Sequence, residues 1–291
     1  MILGVDVEHP VRGDSGLTRK STRAGDRTLS YAIAGTGPSV LSIQGVGVAG
    51  RGWQPQIDGL TGRFTIITFD NCGIGSSPRG SNPLTVEQMA LDALAIADAE
   101  NIPRFHVMGH SLGGLIAQHL ALTARNRVKS LALLCTFANG ADATRLSARM
   151  LVLGLRTRIG TRTLRRKAMI RMIMPDEYVQ GKDQTKLAQE LQDLFGRDLA
   201  DQPPIVSEQL RAMSRYSAAA RLGELSGIPT LVLSARHDPI APPRLGKAIA
   251  SAIAGARFVE FSNASHALPI QCATEVNALL LEHLTHSELV A

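Results

Sequence analysis

Short apolar runs rich in β-branched residues alternate with helical patterns along most of the 291-residue chain, and this rhythm restricts the fold more than any other feature. "TLSYAIAG" (Thr28–Gly35), "SVLSIQG" (Ser39–Gly45) and "FTIITFD" (Phe64–Asp70) read as strands. The second and third are continuous apolar runs, as expected of strands covered on both faces. "TVEQMALDALAIADAENI" sets Ala, Leu, Met and Ile at helical spacing after the turn signal "SNP", which predicts a helix from about Thr85. "FHVMG" is the next strand, "LGGLIAQHLALTA" the next helix and "VKSLALLC" (Val128–Cys135) another strand. Strands and helices in this order predict an α/β fold, a largely parallel sheet with helices on both faces.

The rhythm stops near Phe137 and resumes at "IPTLVLSARHD" (Ile228–Asp238), followed by "RFVEFSNASH" and a final helix around "ATEVNALLLEHL". About ninety helix-like residues lie between, too many for a loop, and they predict an inserted helical subdomain. The expected organisation is an N-terminal extension at 1–22, a core at 23–137 and 226–291, and the helical insertion at 138–225.

Composition excludes several function classes. At 44% hydrophobic and 19% charged residues the chain reads as globular. No run approaches the roughly 18 to 20 apolar residues of a membrane span, and "MILGVDVEHP" lacks a signal-peptide core, so a cytoplasmic protein is expected. Three cysteines, Cys72, Cys135 and Cys272, are odd in number and far apart, which argues against a disulfide framework; none has CxxC spacing, so no structural metal is expected. The net charge of +6 would suit an anionic partner, but aromatics are only 4% and no nucleic-acid motif occurs, so no nucleic-acid partner is expected.

Gly109-His110-Ser111-Leu112-Gly113 matches GxSxG, and its value comes from the strand before it and the helix after it. A sharp strand-to-helix turn strains the central residue, and Gly109 and Gly113 are expected to stay small to avoid its side chain. Gly114 would let the helix pack close to the sheet. The helix N-terminus offers free N–H groups beside Ser111, suited to a developing oxyanion.

A serine hydroxyl needs a base, and the base needs an orienting acid. Among eight histidines, His266 follows the last strand and so stands at the carboxyl edge of the sheet, the edge that carries Ser111. His110 adjoins the serine but is expected to be turned away, while His119, His283 and His286 fall in helices. Asp238 lies just past the preceding strand and is the expected acid; Asp142 is its rival, and a turn or N-cap role is the alternative use of Asp238.

The order Ser111, Asp238, His266, the strand–Ser–helix elbow and the "FDNCGIGSS" loop resemble the α/β-hydrolase superfamily from about Thr28 to Leu284. Within it the chain is similar to capped carboxylesterases, enol-lactonases and cofactor-free perhydrolases. The resemblance implies an eight-stranded, mostly parallel sheet, a helical cap over residues 138–225, and no cofactor. It also implies an oxyanion hole from the backbone N–H groups of Val46 and Leu112. Two positions depart from the family pattern: Gln44-Gly45 replaces a common His-Gly, and Cys72 stands where arginine is common. Cys72 as a competing nucleophile lacks a nearby histidine in sequence.

From Ala143 to Pro175 the chain holds nine Lys or Arg and no acid, interleaved with Leu, Met, Ile and Val. Two readings follow: a basic amphipathic lid drawn to acidic substrates or a lipid surface, or an apolar face packed over the pocket with solvated arginines. Gly45, Trp53, His110 and Ile240 are candidate pocket residues, and Met150, Met169, Met172 and Met174 could line an adaptable apolar pocket. The expected activity is serine hydrolysis of small to medium, largely apolar carboxylic esters through an acyl-enzyme. Lactone opening, perhydrolysis and carbon–carbon bond hydrolysis use the same triad, and a small-molecule receptor with negligible turnover is the alternative of another class. A monomer or a homodimer fits either.

Overall fold

Eight strands form one sheet: β1 (Thr18–Ala24), β2 (Arg27–Ala34), β3 (Ser39–Ile43), β4 (Thr65–Phe69), β5 (Phe105–His110), β6 (Val128–Leu134), β7 (Thr230–Ala235) and β8 (Arg257–Phe261). Their spatial order is β1-β2-β4-β3-β5-β6-β7-β8. The β1–β2 and β2–β4 pairs are antiparallel and the rest are parallel. These findings come from a computed structural model, which describes residues 16–144 and 148–290.

The apolar runs are explained by burial on both faces. Val107, Leu131, Leu133 and Val232 join one core layer, with α2 (Val86–Ala99), α3 (Leu112–Thr123) and α9 (Pro243–Ala252). Their sequence neighbours Met108, Ala132, Leu134 and Leu231 join the opposite layer, with α1 (Gln54–Leu60) and α11 (Ala273–Val290). Successive side chains of a strand point to opposite faces, so a strand covered twice has no polar positions to reveal its period. The helix expected from Thr85 starts there: Thr85 is its N-cap, and its hydroxyl accepts from the Gln88 N–H at 3.1 Å.

The expected N-terminal extension needs correction. Thr18–Ala24, inside the range 1–22, is strand β1, paired along its length with β2; residues 1–15 lie outside the described residues. "TRKSTRA" alternates between exposed and half-buried positions, so an edge strand of this kind leaves no apolar periodicity to read.

Between β6 and β7 the regular elements among the described residues are helices. They include α4 (Ala148–Arg156), α5 (Arg162–Ile173), α6 (Asp176–Val179), α7 (Gln184–Phe195) and α8 (Pro204–Arg215). The ends of the insertion meet in a single antiparallel bridge, Asn139 to Ser217, with Ala218 N–H donating to Ala138 O at 2.8 Å. The insertion has its own apolar centre, in which Ile170, Ile173, Leu187, Leu191 and Phe195 pack with Ala267, the residue after His266. No helix among the described residues is long and apolar enough to cross a membrane.

Candidate active site

Ser111 stands alone between β5 and α3, with φ 55° and ψ −119°. Positive φ is costly for a residue with a Cβ, and the surroundings must hold it there. Three hydrogen bonds do so: Ser111 N–H donates to Leu134 O at 3.0 Å, and Ser111 O accepts from Gly114 N–H at 2.9 Å and from the Thr136 hydroxyl at 2.7 Å. The flanking glycines are small for a different reason from the one expected. A Cβ on Gly109 would strike the Gly113 carbonyl, and one on Gly113 would strike the Ile43 carbonyl. Close passage of main chain past main chain, rather than room for the serine side chain, sets both positions. At Gly114 a Cβ would run into the Thr136 side chain, so the expected close helix–sheet packing is present.

Asp238 follows β7 and His266 follows β8, so both share the carboxyl edge of the parallel strands with Ser111. His266 Nδ1 and Asp238 Oδ2 are 2.8 Å apart. The other oxygen, Oδ1, accepts from the backbone N–H groups of Ile240 and Ala241, each at 2.8 Å. Burial pushes the Asp238 carboxyl up, but the His266 charge and these hydrogen bonds more than offset it and hold it below its ordinary value. An ionised carboxylate accepts only, so Nδ1 carries the proton and Nε2 is left as an acceptor. Ser111, Asp238 and His266 are 5%, 3% and 7% exposed, so the three side chains are shielded from bulk water.

Ser111 and His266 line one cavity of about 520 Å³, walled largely by Val, Leu, Ile and Met from the insertion and the core. A family description of the alpha/beta hydrolase fold matches residues 38–271, the greater part of the chain. The chain belongs to the α/β-hydrolase fold family. It is a hydrolase of that family, similar to RutD of Azorhizobium caulinodans, a proposed carbamate hydrolase, at 27% identity over 274 residues, covering 88% of this chain and 95% of the relative. Among solved α/β-hydrolase structures, the enol-lactonase from Burkholderia xenovorans LB400 superposes with a TM-score of 0.77 at 25% identity, covering 91% of this chain and 99% of that one. A thermophilic esterase from Thermogutta terrifontis gives 0.76 at 24% identity, covering 92% and 98%.

In this α/β hydrolase the segment after β3 passes directly beside the serine: a Cβ on Gly45 would lie 3.1 Å from Ser111 Cβ. Gln44 does not by itself hold that segment. Its backbone carbonyl accepts from Asn71 Nδ2 at 3.3 Å, and Gly47 N–H donates to Gln209 Oε1 of the insertion at 2.8 Å. Arg197 Nε, also from the insertion, donates to Gly47 O at 2.9 Å. The insertion therefore clamps both polar groups of Gly47. Sequence reasoning missed Gln209 and Arg197, because a polar residue on the inner face of a helix or in a connecting loop carries no local signature.

Gly45, His110 and Ile240 line the cavity, and Trp53 does not. Its indole is fully buried in the core layer under α1 and α11, while its neighbour Gly52 faces the cavity. His110 is not turned away from the site: its Nε2–H donates to the His266 carbonyl at 2.8 Å, and the two rings lie 4.9 Å apart. Desolvation of the His110 ring and the neighbouring His266 bring its pKa down to about 3, so it sits there neutral.

Met150, Met169 and Met172 line the cavity; Met174 is instead packed in the centre of the insertion. Asp142 lies in a short 3-10 segment, Gly140–Thr144, and the carboxylate that meets His266 belongs to Asp238. Cys72 is buried, accepts from Gly80 N–H at 3.1 Å, and has its thiol pKa pushed up by burial, which suits a loop anchor and not a nucleophile. Of the basic stretch, residues 145–147 lie outside the described residues. In the rest, Leu153, Ala168, Ile170 and Ile173 are buried, while Leu151, Val152, Leu155, Ile159 and Leu164 are exposed beside Arg156, Arg158, Arg162, Lys167 and Arg171.

Proposed function

We propose that the protein is a cytoplasmic serine hydrolase that cleaves small to medium carboxylic esters with apolar groups, the helical insertion acting as its cap. The observation that carries this reading is the Asp238–His266 contact of 2.8 Å opening into the cavity that Ser111 also lines. In the proposed reaction His266 Nε2 takes the Ser111 proton as Oγ attacks the ester carbonyl, and the N–H groups of Val46 and Leu112 receive the oxyanion. Collapse of the tetrahedral intermediate expels the alcohol, which takes the proton from His266 and leaves the acyl group on Ser111. Water, deprotonated by the same imidazole, then attacks the acyl-enzyme and releases the acid.

The size and lining of the cavity support the substrate class. About 520 Å³ lies within the range of small-molecule sites, and its apolar walls suit hydrocarbon on either side of the ester. Lactones and carbamates are acyl substrates for the same groups, and the likeness to an enol-lactonase and to a proposed carbamate hydrolase favours testing both. The experiment is hydrolysis of a p-nitrophenyl ester series from acetate to a long acyl chain, beside an enol-lactone and an aryl carbamate. Turnover greatest on an ester of intermediate length supports the reading; turnover of the lactone or carbamate alone moves the substrate class, and no turnover on any of them overturns it.

A further inference from the structure

The cavity wall is apolar but its charges are one-sided. Among the described residues that line it there is no Asp or Glu, whereas Arg158 and Arg197 both do. Arg158 is exposed at the insertion; Arg197 is largely enclosed. The two carboxylates nearest in sequence to Arg197 attract its charge but make their ion pairs elsewhere: Asp198 holds Arg162 and Arg166, and Asp201 lies 3.0 Å from Arg162. Arg197 thus has no carboxylate partner among the described residues, and its neutral contacts are the carbonyls of Gly47, Asp198 and Asp201, through Nε and Nη1. Its Nη2 has no hydrogen-bond partner among them. Burial lowers the guanidinium's pKa, and an arginine keeps its charge in a protein.

A second donor stands in the same wall. Gln202 lines the cavity, and its Nε2 is buried without a hydrogen-bond partner. A buried donor left unpaired is costly, and a charged acceptor placed between it and a guanidinium N–H serves both. The position relative to the serine is also constrained. A Cβ on Gly47 would lie 2.9 Å from Arg197 Nη2, and Gly47 is two residues from Gly45, which abuts Ser111. Two residues of chain span at most about 7 Å, so Arg197 and Ser111 border the same short stretch of the segment after β3.

We propose that Arg197 and Gln202 form an anion subsite, so that the preferred substrate is an apolar ester carrying a carboxylate a short aliphatic chain away from the scissile carbonyl. This rests on the ester-hydrolase reading. Arg197 then has two tasks: Nε fixes the segment that follows β3, and Nη2 meets the substrate carboxylate. It acts on specificity through contact with substrate, not on the bond-breaking step.

The test compares monoethyl adipate with its neutral isostere ethyl 6-methylheptanoate, following ethanol release by the wild type and by Arg197→Met, Arg197→Lys and Gln202→Leu. The wild type is expected to favour the anionic ester in kcat/KM. Arg197→Met is expected to lower that preference about tenfold or more, mostly through KM, the scale of one charge-assisted hydrogen bond. Arg197→Lys is expected to keep part of it, and Gln202→Leu to lower it less. A purely structural Arg197 would depress both esters together and leave the ratio unchanged, which would overturn the proposal. So would a wild type that favours the neutral ester. Calorimetric titration of Ser111→Ala with the same two esters reads the subsite without turnover: equal affinities overturn it. Preferential binding of monoethyl adipate with no turnover by the wild type would instead keep the subsite and sink the hydrolase reading.

Discussion

Asp238 holds His266 through Oδ2 at 2.8 Å while two backbone N–H groups, of Ile240 and Ala241, fix its other oxygen. One oxygen is thereby given to the imidazole and the other to the main chain, which sets one imidazole orientation and one tautomer. Replacing Asp238 with Asn keeps the shape but presents an amide that can donate to Nδ1, which favours the tautomer with its proton on Nε2. Ester kcat is expected to fall roughly 10³- to 10⁴-fold, by analogy with triads of this type, with little change in the circular-dichroism spectrum. A loss of less than tenfold would remove Asp238 from the orienting role.

Gly113 tests the architecture of the elbow. Because a Cβ there would overlap the Ile43 carbonyl, Gly113→Ala must push α3 away from β3. Urea denaturation is expected to show a loss of about 1–3 kcal/mol, the usual scale of overpacking. Wild-type stability in that variant would mean that the two elements do not pass as closely as described.

Gln209 links the insertion to the segment beside the serine. Gln209→Met leaves Gly47 N–H without its acceptor, at an expected stability cost of about 1–3 kcal/mol. Freeing that segment should also lower kcat on neutral and anionic esters alike, since both would share the oxyanion donor at Val46. Steady-state kinetics on one ester of each type reads this, and unchanged kcat on both would show that Arg197 alone suffices to hold the segment.

Desolvation lowers the pKa of four imidazoles, His106, His110, His119 and His283, and most deeply that of His110, to about 3, and of His283, to about 4. Unfolding returns each to an ordinary value near 6.5, so below that pH the unfolded chain binds more protons than the folded one. Stability is therefore present in full above about pH 6.5 and falls with acid through the folded values, by up to about 1.4 kcal/mol per pH unit for each group. Urea midpoints between pH 7 and pH 4 should show the decline, and His110→Gln should make it shallower. A variant with the wild-type slope would mean that His110 takes up its proton without unfolding.

Much of this was legible in the chain. Ser111, Asp238 and His266 each follow a strand of the sheet, strongly apolar for the first two, and parallel strands bring their carboxyl ends to one edge. The insertion was legible as a lapse of the strand rhythm. What escaped was set by three-dimensional neighbours. Strand β1 is polar on both faces and has no period to detect. Trp53 and Gly52 are adjacent in sequence but face opposite sides of the β3–α1 connection. Gln209 and Arg197 reach Gly47 from more than a hundred residues away, which no local spacing encodes. His110, expected to turn away from the serine, meets the His266 carbonyl through contact between the end of β5 and the loop after β8.

The central claim is that Ser111 is a nucleophile activated by His266, and it is tested most directly by a fluorophosphonate probe followed by peptide mass spectrometry. The account predicts a single adduct on Ser111 in the wild type, none in Ser111→Ala, and labelling slowed by orders of magnitude in His266→Ala. An unlabelled wild type, or an adduct that persists in Ser111→Ala, would contradict it.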